Sequence, residues 1–137
     1  NSINYLKKNI TINFKNDGKE KYFIRGIENR IEQIIANLLD NAISFSKNNQ
    51  NIEVMIKKNS NNQVVINIID EGPGFKERDP EKIFKRFYSN RPDKFGQHSG
   101  LGLNIVKNLV DLHKATITAS NRIDKSGANL EIIFSKS

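Results

Sequence analysis

The chain has 137 residues, a formal net charge of +7 and no cysteine. That length suits one domain with a real core. Disulfides, thiolate nucleophiles and zinc–cysteine sites are excluded, and no apolar run approaches the roughly 18 residues that read as a membrane span. The basic balance suits an anionic partner, whether nucleotide, nucleic acid, acidic protein or membrane face. The lysines are dispersed, which equally describes a solvated surface.

In chain order, residues 1–9 read as the remnant of an upstream linker, without a signal-like apolar segment. Residues 9–16 (NITINFKN) alternate apolar and polar as a half-buried strand, and Asp17-Gly18 marks a turn. Residues 22–25 predict a short second strand, broken by Gly26. Residues 30–46 (RIEQIIANLLDNAISFS) predict an amphipathic helix. Ile27, Ile31, Ile34, Ile35, Leu38, Leu39, Ala42 and Phe45 recur at three- and four-residue steps. Residues 52–58 and 63–70 predict strands around a polar loop. Residues 79–88 carry a short helical pattern around Ile83, Phe84 and Phe87, and residues 89–98 a polar, basic loop. Residues 99–113 predict a second amphipathic helix, and residues 115–120 and 129–134 two closing strands. The elements do not alternate strictly, so two helices must cover one face of a mixed sheet in a two-layer α/β sandwich.

Three patterns invite chemistry. Asn37 and Asn41 sit one turn apart on the edge of the first helix's apolar face. Asparagine is a middling helix former, and its amide oxygen suits a hard cation such as Mg²⁺; two polar residues facing water would look the same. Asp70 through Phe75 reads DEGPGF and breaks sharply after the most β-like run. Asp70, an acceptor only, would take a hydrogen bond from an exocyclic amine such as N6 of adenine; a plain turn also fits. Ser99, Gly100, Leu101, Gly102 and Leu103 open a helix. Amides bared by glycine at a helix N-terminus suit phosphate; a flexible joint fits too. Neither a Walker loop nor a dinucleotide fingerprint is present.

Taken together and in this order, the motifs resemble the catalytic ATP-binding domain of bacterial two-component sensor histidine kinases, within the superfamily that includes gyrase, the Hsp90 chaperones and the MutL proteins. NLLDNA at 37–42 is similar to the N box, DEGPGF at 70–75 to the first glycine box, IFKRFY at 83–88 to the F box and SGLGL at 99–103 to the second glycine box. GANLEIIF at 127–134 is similar to the last box. The stretch FYSNRPDKFGQHSGLGL further resembles kinases of the ChvG type.

The resemblance implies a mixed, mostly antiparallel sheet of about five strands with helices on one face, the Bergerat or GHKL fold. It implies a single catalytic domain over residues 10–137 with a lid at about 76–97. Asn41, helped by Asn37, would bind Mg²⁺. Asp70 would read the adenine of ATP, with Gly72, Gly74 and Phe75 around the ring. Tyr88, Arg91, Ser99, Gly100, Leu101, Gly102 and Leu103 would line the rest of the nucleotide. The γ-phosphate would pass to a histidine on a dimeric helical hairpin, and onward to a response regulator. No nucleic-acid partner is expected. The parent would be a receptor kinase anchored in the inner membrane, with this domain on its cytoplasmic side. A serine kinase of the anti-sigma-factor type and a degenerate nucleotide-binding module share the same boxes. Ser44, Ser89, Lys114-Ala115 and Asn129 depart from the family pattern, the first two where it carries basic residues.

Overall fold

In the computed structural model of the chain, residues 9–18, 22–24, 26–76, 79–85 and 101–135 are described. The alternating segments form a five-stranded sheet in the order β1-β2-β3-β5-β4. The strands are β1 (Thr11–Asn16), β2 (Asn51–Lys58), β3 (Val64–Ile69), β4 (Thr116–Asn121) and β5 (Ala128–Ile133). β1 pairs parallel to β2, and the other pairs are antiparallel. A parallel pair needs a crossover, and helix α1 (Glu28–Phe45) supplies it.

Register carries one apolar row across the sheet: Val54 opposes Ile68, Ile68 opposes Leu130 and Leu130 opposes Ala119. All four are buried. On this face lie α1 and α2 (Leu101–Leu112). Ile34, Leu38, Val106 and Val110 lose all exposure against a cluster that includes Ile52, Ile66, Ile68 and Ile132. Each such side chain contributes roughly 1.5–3 kcal/mol by leaving water. The opposite face is polar at its centre. Asn67 Nδ2 donates to Asn129 Oδ1 at 3.0 Å and to Glu131 Oε2 at 3.1 Å. Asn129 is thereby turned away from the helices.

The two-layer architecture agrees with the expected one, but the strand expected at residues 22–25 does not form. Tyr22–Ile24 is irregular, and Arg25 lies outside the described residues. Its alternation is real: Tyr22 and Ile24 pack on the core while Phe23 is 65% exposed. Alternation reports which side chains are buried and does not supply a ladder partner. The Tyr22 hydroxyl bonds to Asp17 Oδ1 instead. The pattern at 79–88 shortens to a 3₁₀ helix, Pro80–Phe84, with Asp79 Oδ1 accepting from the Glu81 N–H at 3.1 Å. Ile83 and Phe84 are buried, while Phe87 lies outside the described residues.

His113, just past α2, ties the two helices together. Its Nε2 accepts from the Ile27 N–H at 3.1 Å, so Nδ1 carries the proton and donates to the Leu109 carbonyl at 2.8 Å. Ile27 is the N-cap of α1 and has no side-chain cap of its own.

Leu38 and Leu39 are neighbours in sequence with unequal burial, complete for Leu38 and partial for Leu39. Leu38→Ala should cost about 2–5 kcal/mol and Leu39→Ala clearly less, read from urea unfolding midpoints. Equal costs would contradict the packing described.

Candidate functional site

Asp70 leaves the end of β3 and is 4% exposed. Its Oδ1 accepts two main-chain donors, Gly72 N–H at 2.9 Å and Ala128 N–H at 3.1 Å. Its own main chain is held as well, by Ala128 O at 3.0 Å and by Arg122 Nη1 at 3.1 Å. Oδ2 takes no hydrogen bond from a described residue, so the carboxylate presents one spare acceptor. Burial pushes the Asp70 carboxyl above its ordinary value, against the lowering effect of the Gly72 and Ala128 amides and of Arg122. The group is held by a rigid frame and still lacks a donor on one side, which suits a neutral N–H of a ligand.

Asn37 and Asn41 flank the buried Leu38 on α1 and are both half-buried. Among the described residues neither side-chain amide has a hydrogen-bond partner. Ser44 follows on the same side, and its hydroxyl donates to the Asn41 carbonyl at 2.7 Å. That back-bond turns the hydroxyl onto the helix itself. Phe45, one turn beyond Asn41, brings the end of α1 against the Asp70 loop. A Cβ on Gly72 would stand 2.8 Å from the Phe45 carbonyl. Gly74 has φ +80°, a left-handed conformation that side chains disfavour. The contacts that demand these glycines are within the protein, as well as any with a flat ligand.

Glu71 points to the other side. Its Oε2 meets Lys125 Nζ at 2.7 Å, its Oε1 accepts the Asn51 N–H at 2.7 Å, and its carbonyl accepts Gln50 Nε2 at 3.1 Å. The Lys125 hydrogen bond first, and then the Asn51 amide, hold its carboxyl below the usual range. It staples the loop to the start of β2.

Of the second glycine motif, Leu101, Gly102 and Leu103 form the start of α2. Gly102 is exposed, and a Cβ on it would meet no described residue within 4 Å. Among the described residues packing does not demand glycine there, in contrast to Gly72. Leu103 packs against the core. Asn104 Nδ2 donates to the Phe84 carbonyl at 3.1 Å and joins the first turn of α2 to the 3₁₀ helix. Ser99, Gly100, Tyr88 and Arg91 lie outside the described residues, as does most of residues 76–97; Leu101 opens α2. Asn104, Arg122 and Ser126, which hold Phe84, Asp70 and Gly72 by their main chains, belong to no motif of the sequence. A polar residue inside LGLNIV was the one available signal for Asn104; Arg122 and Ser126 sit in a turn where polarity signals nothing.

Asp70→Asn keeps the oxygen that accepts both amides and removes the buried charge. The carboxyl's folded-state pKa is raised, so its contribution to stability is full below its unfolded value and lost as pH rises through the folded one. The variant escapes that loss. Its urea midpoint should therefore gain on the wild-type chain as pH rises across the acid range, and a gap that stays constant with pH would contradict the electrostatics described.

Residues 26–136 match the family described as histidine kinase-, DNA gyrase B- and HSP90-like ATPase. The chain is 36% identical over 132 residues to the sensor protein ChvG of Agrobacterium fabrum, covering 91% of this chain and 22% of that protein. It is 37% identical over 127 residues to the ChvG of Rhizobium meliloti, covering 88% and 22%. The chain thus spans about a fifth of the length of these curated relatives. The nucleotide-free catalytic domain of the histidine kinase ThkA superposes with a TM-score of 0.81 at 28% identity, over 98% of this chain and 84% of that one. A family match over most of the chain, on a fold shared with a kinase catalytic domain, leads to one assignment: the chain belongs to the histidine kinase-, DNA gyrase B- and HSP90-like ATPase family.

Proposed function

We propose that this domain binds Mg-ATP and donates its γ-phosphate to a histidine on a helical hairpin of its parent sensor kinase. The observation that carries this reading is the half-satisfied Asp70 carboxylate. Two main-chain donors fill Oδ1 and leave Oδ2 as an acceptor in a buried wall. Such a group favours the amine of adenine and repels the O6 of guanine.

Asn37 and Asn41 fit a hard cation. They are half-buried amides one turn apart, uncommitted to other described residues, and among those residues no cluster of three His, Cys, Asp or Glu offers an all-protein cage. Mg²⁺ commonly takes few protein ligands and completes its shell with water and phosphate. When bound, it would neutralise charge on the phosphates of ATP. The asparagines would hold and orient the metal–phosphate unit, and the α2 N-terminus beside Gly102, where no described residue crowds the glycine, would receive the phosphates.

An amide at Asn37 cannot accept a proton from water, as a glutamate could. That favours transfer over hydrolysis, and the kinase branch of the family over its ATPases. The lid of residues 76–97, with Arg91 on it, would close over the bound nucleotide. The acceptor hairpin and a response regulator are the partners that this reading requires. Among the described residues no helix is long and apolar enough to cross a membrane; a membrane anchor and cytoplasmic placement belong to the proposed parent.

Two measurements test the reading. Calorimetry should show tighter binding of Mg-ATP than of Mg-GTP. Asp70→Asn should weaken ATP by roughly 1–3 kcal/mol, the range for a hydrogen bond to a charged group; equal affinities for the two nucleotides in the wild-type chain would sink the adenine assignment. Mixed with a ChvG-type hairpin bearing an acceptor histidine, the domain should form acid-labile phosphate on the hairpin. Asn41→Ala should abolish this transfer with little change in melting temperature, and normal transfer by that variant would remove Asn41 from the metal site.

A further inference from the structure

Asn121 closes β4 and belongs to none of the sequence motifs. Its side-chain amide meets both main-chain groups of one residue. Oδ1 accepts the Phe75 N–H at 2.6 Å, and Nδ2 donates to the Phe75 carbonyl at 3.0 Å. The pair reproduces one rung of a β ladder with a side chain in place of a strand. Each contact requires the other's orientation, so the amide can be placed only one way. The Phe75 ring is buried in the core, and the residue is thus held by both its ring and its main chain.

The contact governs the second half of the Asp70 loop. Gly74, just before Phe75, sits at φ +80°, and a Cβ there would stand 2.6 Å from Asn121 Oδ1. The first half hangs from the same β4–β5 turn. Arg122 Nη1 holds the Asp70 carbonyl, Ser126 Oγ donates to the Gly72 carbonyl at 2.6 Å, and Ala128 N–H holds Asp70 Oδ1. Gly72 N–H in turn completes Asp70 Oδ1. The loop from Asp70 to Phe75 is therefore suspended between two anchors on one turn, and Asn121 is the far one. Releasing it leaves the N–H and carbonyl of Phe75 without their partner and frees the left-handed turn at Gly74. The Gly72 amide that orients Asp70 lies two residues away.

We propose that Asn121 is a positioning residue for base recognition, acting through the main chain of Phe75 and touching no nucleotide itself. The inference rests on the reading of Asp70 as the base acceptor. It assigns part of the adenine preference to a strand end remote in sequence from Asp70.

The test is the ratio of Mg-ATP to Mg-GTP affinity, measured by calorimetry for the wild-type chain, Asp70→Asn, Asn121→Ala and Asn121→Asp, with melting temperatures alongside. Asn121→Ala should narrow the ratio by about fivefold or more. Asn121→Asp keeps the oxygen facing the Phe75 N–H and loses the donor to its carbonyl. It should narrow the ratio less, and it decides the matter if the alanine variant does not fold. A purely structural role would lower the melting temperature and leave the ratio at its wild-type value. If Asp70→Asn narrows the ratio and the folded Asn121 variants do not, the proposal is overturned while base recognition by Asp70 stands. If Asp70→Asn leaves the ratio unmoved, base recognition by Asp70 fails, and the proposal fails with it.

Discussion

A carboxylate inside a protein wall has to be given donors, and the structure around Asp70 is organised by that requirement. Leaving it unpaired would cost several kcal/mol. Two main-chain amides supply Oδ1, one from the loop that follows Asp70 and one from the start of β5. The second is available because β5 pairs with β3 in a register that sets Ile69 opposite Asn129 and brings Ala128 to the strand end. The sheet order, which inserts β5 between β3 and β4, is thus also what places a donor beside the carboxylate. Burial still raises its pKa, and the deficit sits on Oδ2, which accepts from no described residue.

The helices do for the other side of the site what β5 does for Asp70. Complete burial of Ile34 and Leu38 sets the rotation of α1, and that rotation leaves Asn37 and Asn41 on the margin between core and solvent. The carbonyl of Phe45, at the end of the same helix, approaches Gly72 so closely that no larger residue fits. Helix, loop and turn therefore form one contiguous wall. α2 joins it through the core valines Val106 and Val110 and through Asn104, whose amide holds the Phe84 carbonyl at the base of the segment leading into residues 86–100.

The polar contacts that assemble this wall mostly run from side chain to main chain: Arg122 to Asp70, Ser126 to Gly72, Glu71 to Asn51, Asn104 to Phe84. A side chain gripping backbone fixes the course of a loop whatever residues the loop presents. The one ion pair of this loop among the described residues, Glu71 with Lys125, is partly exposed on the lysine side. Its contribution to stability is small by comparison with the buried frame, and its use is to hold the loop's outer edge to the β4–β5 turn.

How much of this was legible in the sequence follows from the range of each signal. Periodicity exposed both helices and the half-buried strands, because burial of one face imposes it locally: Ile34, Leu38 and Ala42 on α1, Ala128, Leu130 and Ile132 on β5. The motifs at Asn37, Asn41, Asp70, Gly72 and Gly102 were legible because each is a short run whose residue types are unusual for its element. The same periodicity misled at Tyr22–Ile24, where side chains alternate without a neighbouring strand to pair with. What only the tertiary structure decided is which groups meet across long stretches of chain. Asp70 and Ala128 are 58 residues apart and Phe75 and Asn121 are 46 apart. Such contacts leave no periodic trace, since they depend on strand order and register, and these are set by the packing of the whole sheet against α1 and α2 and not by any one segment.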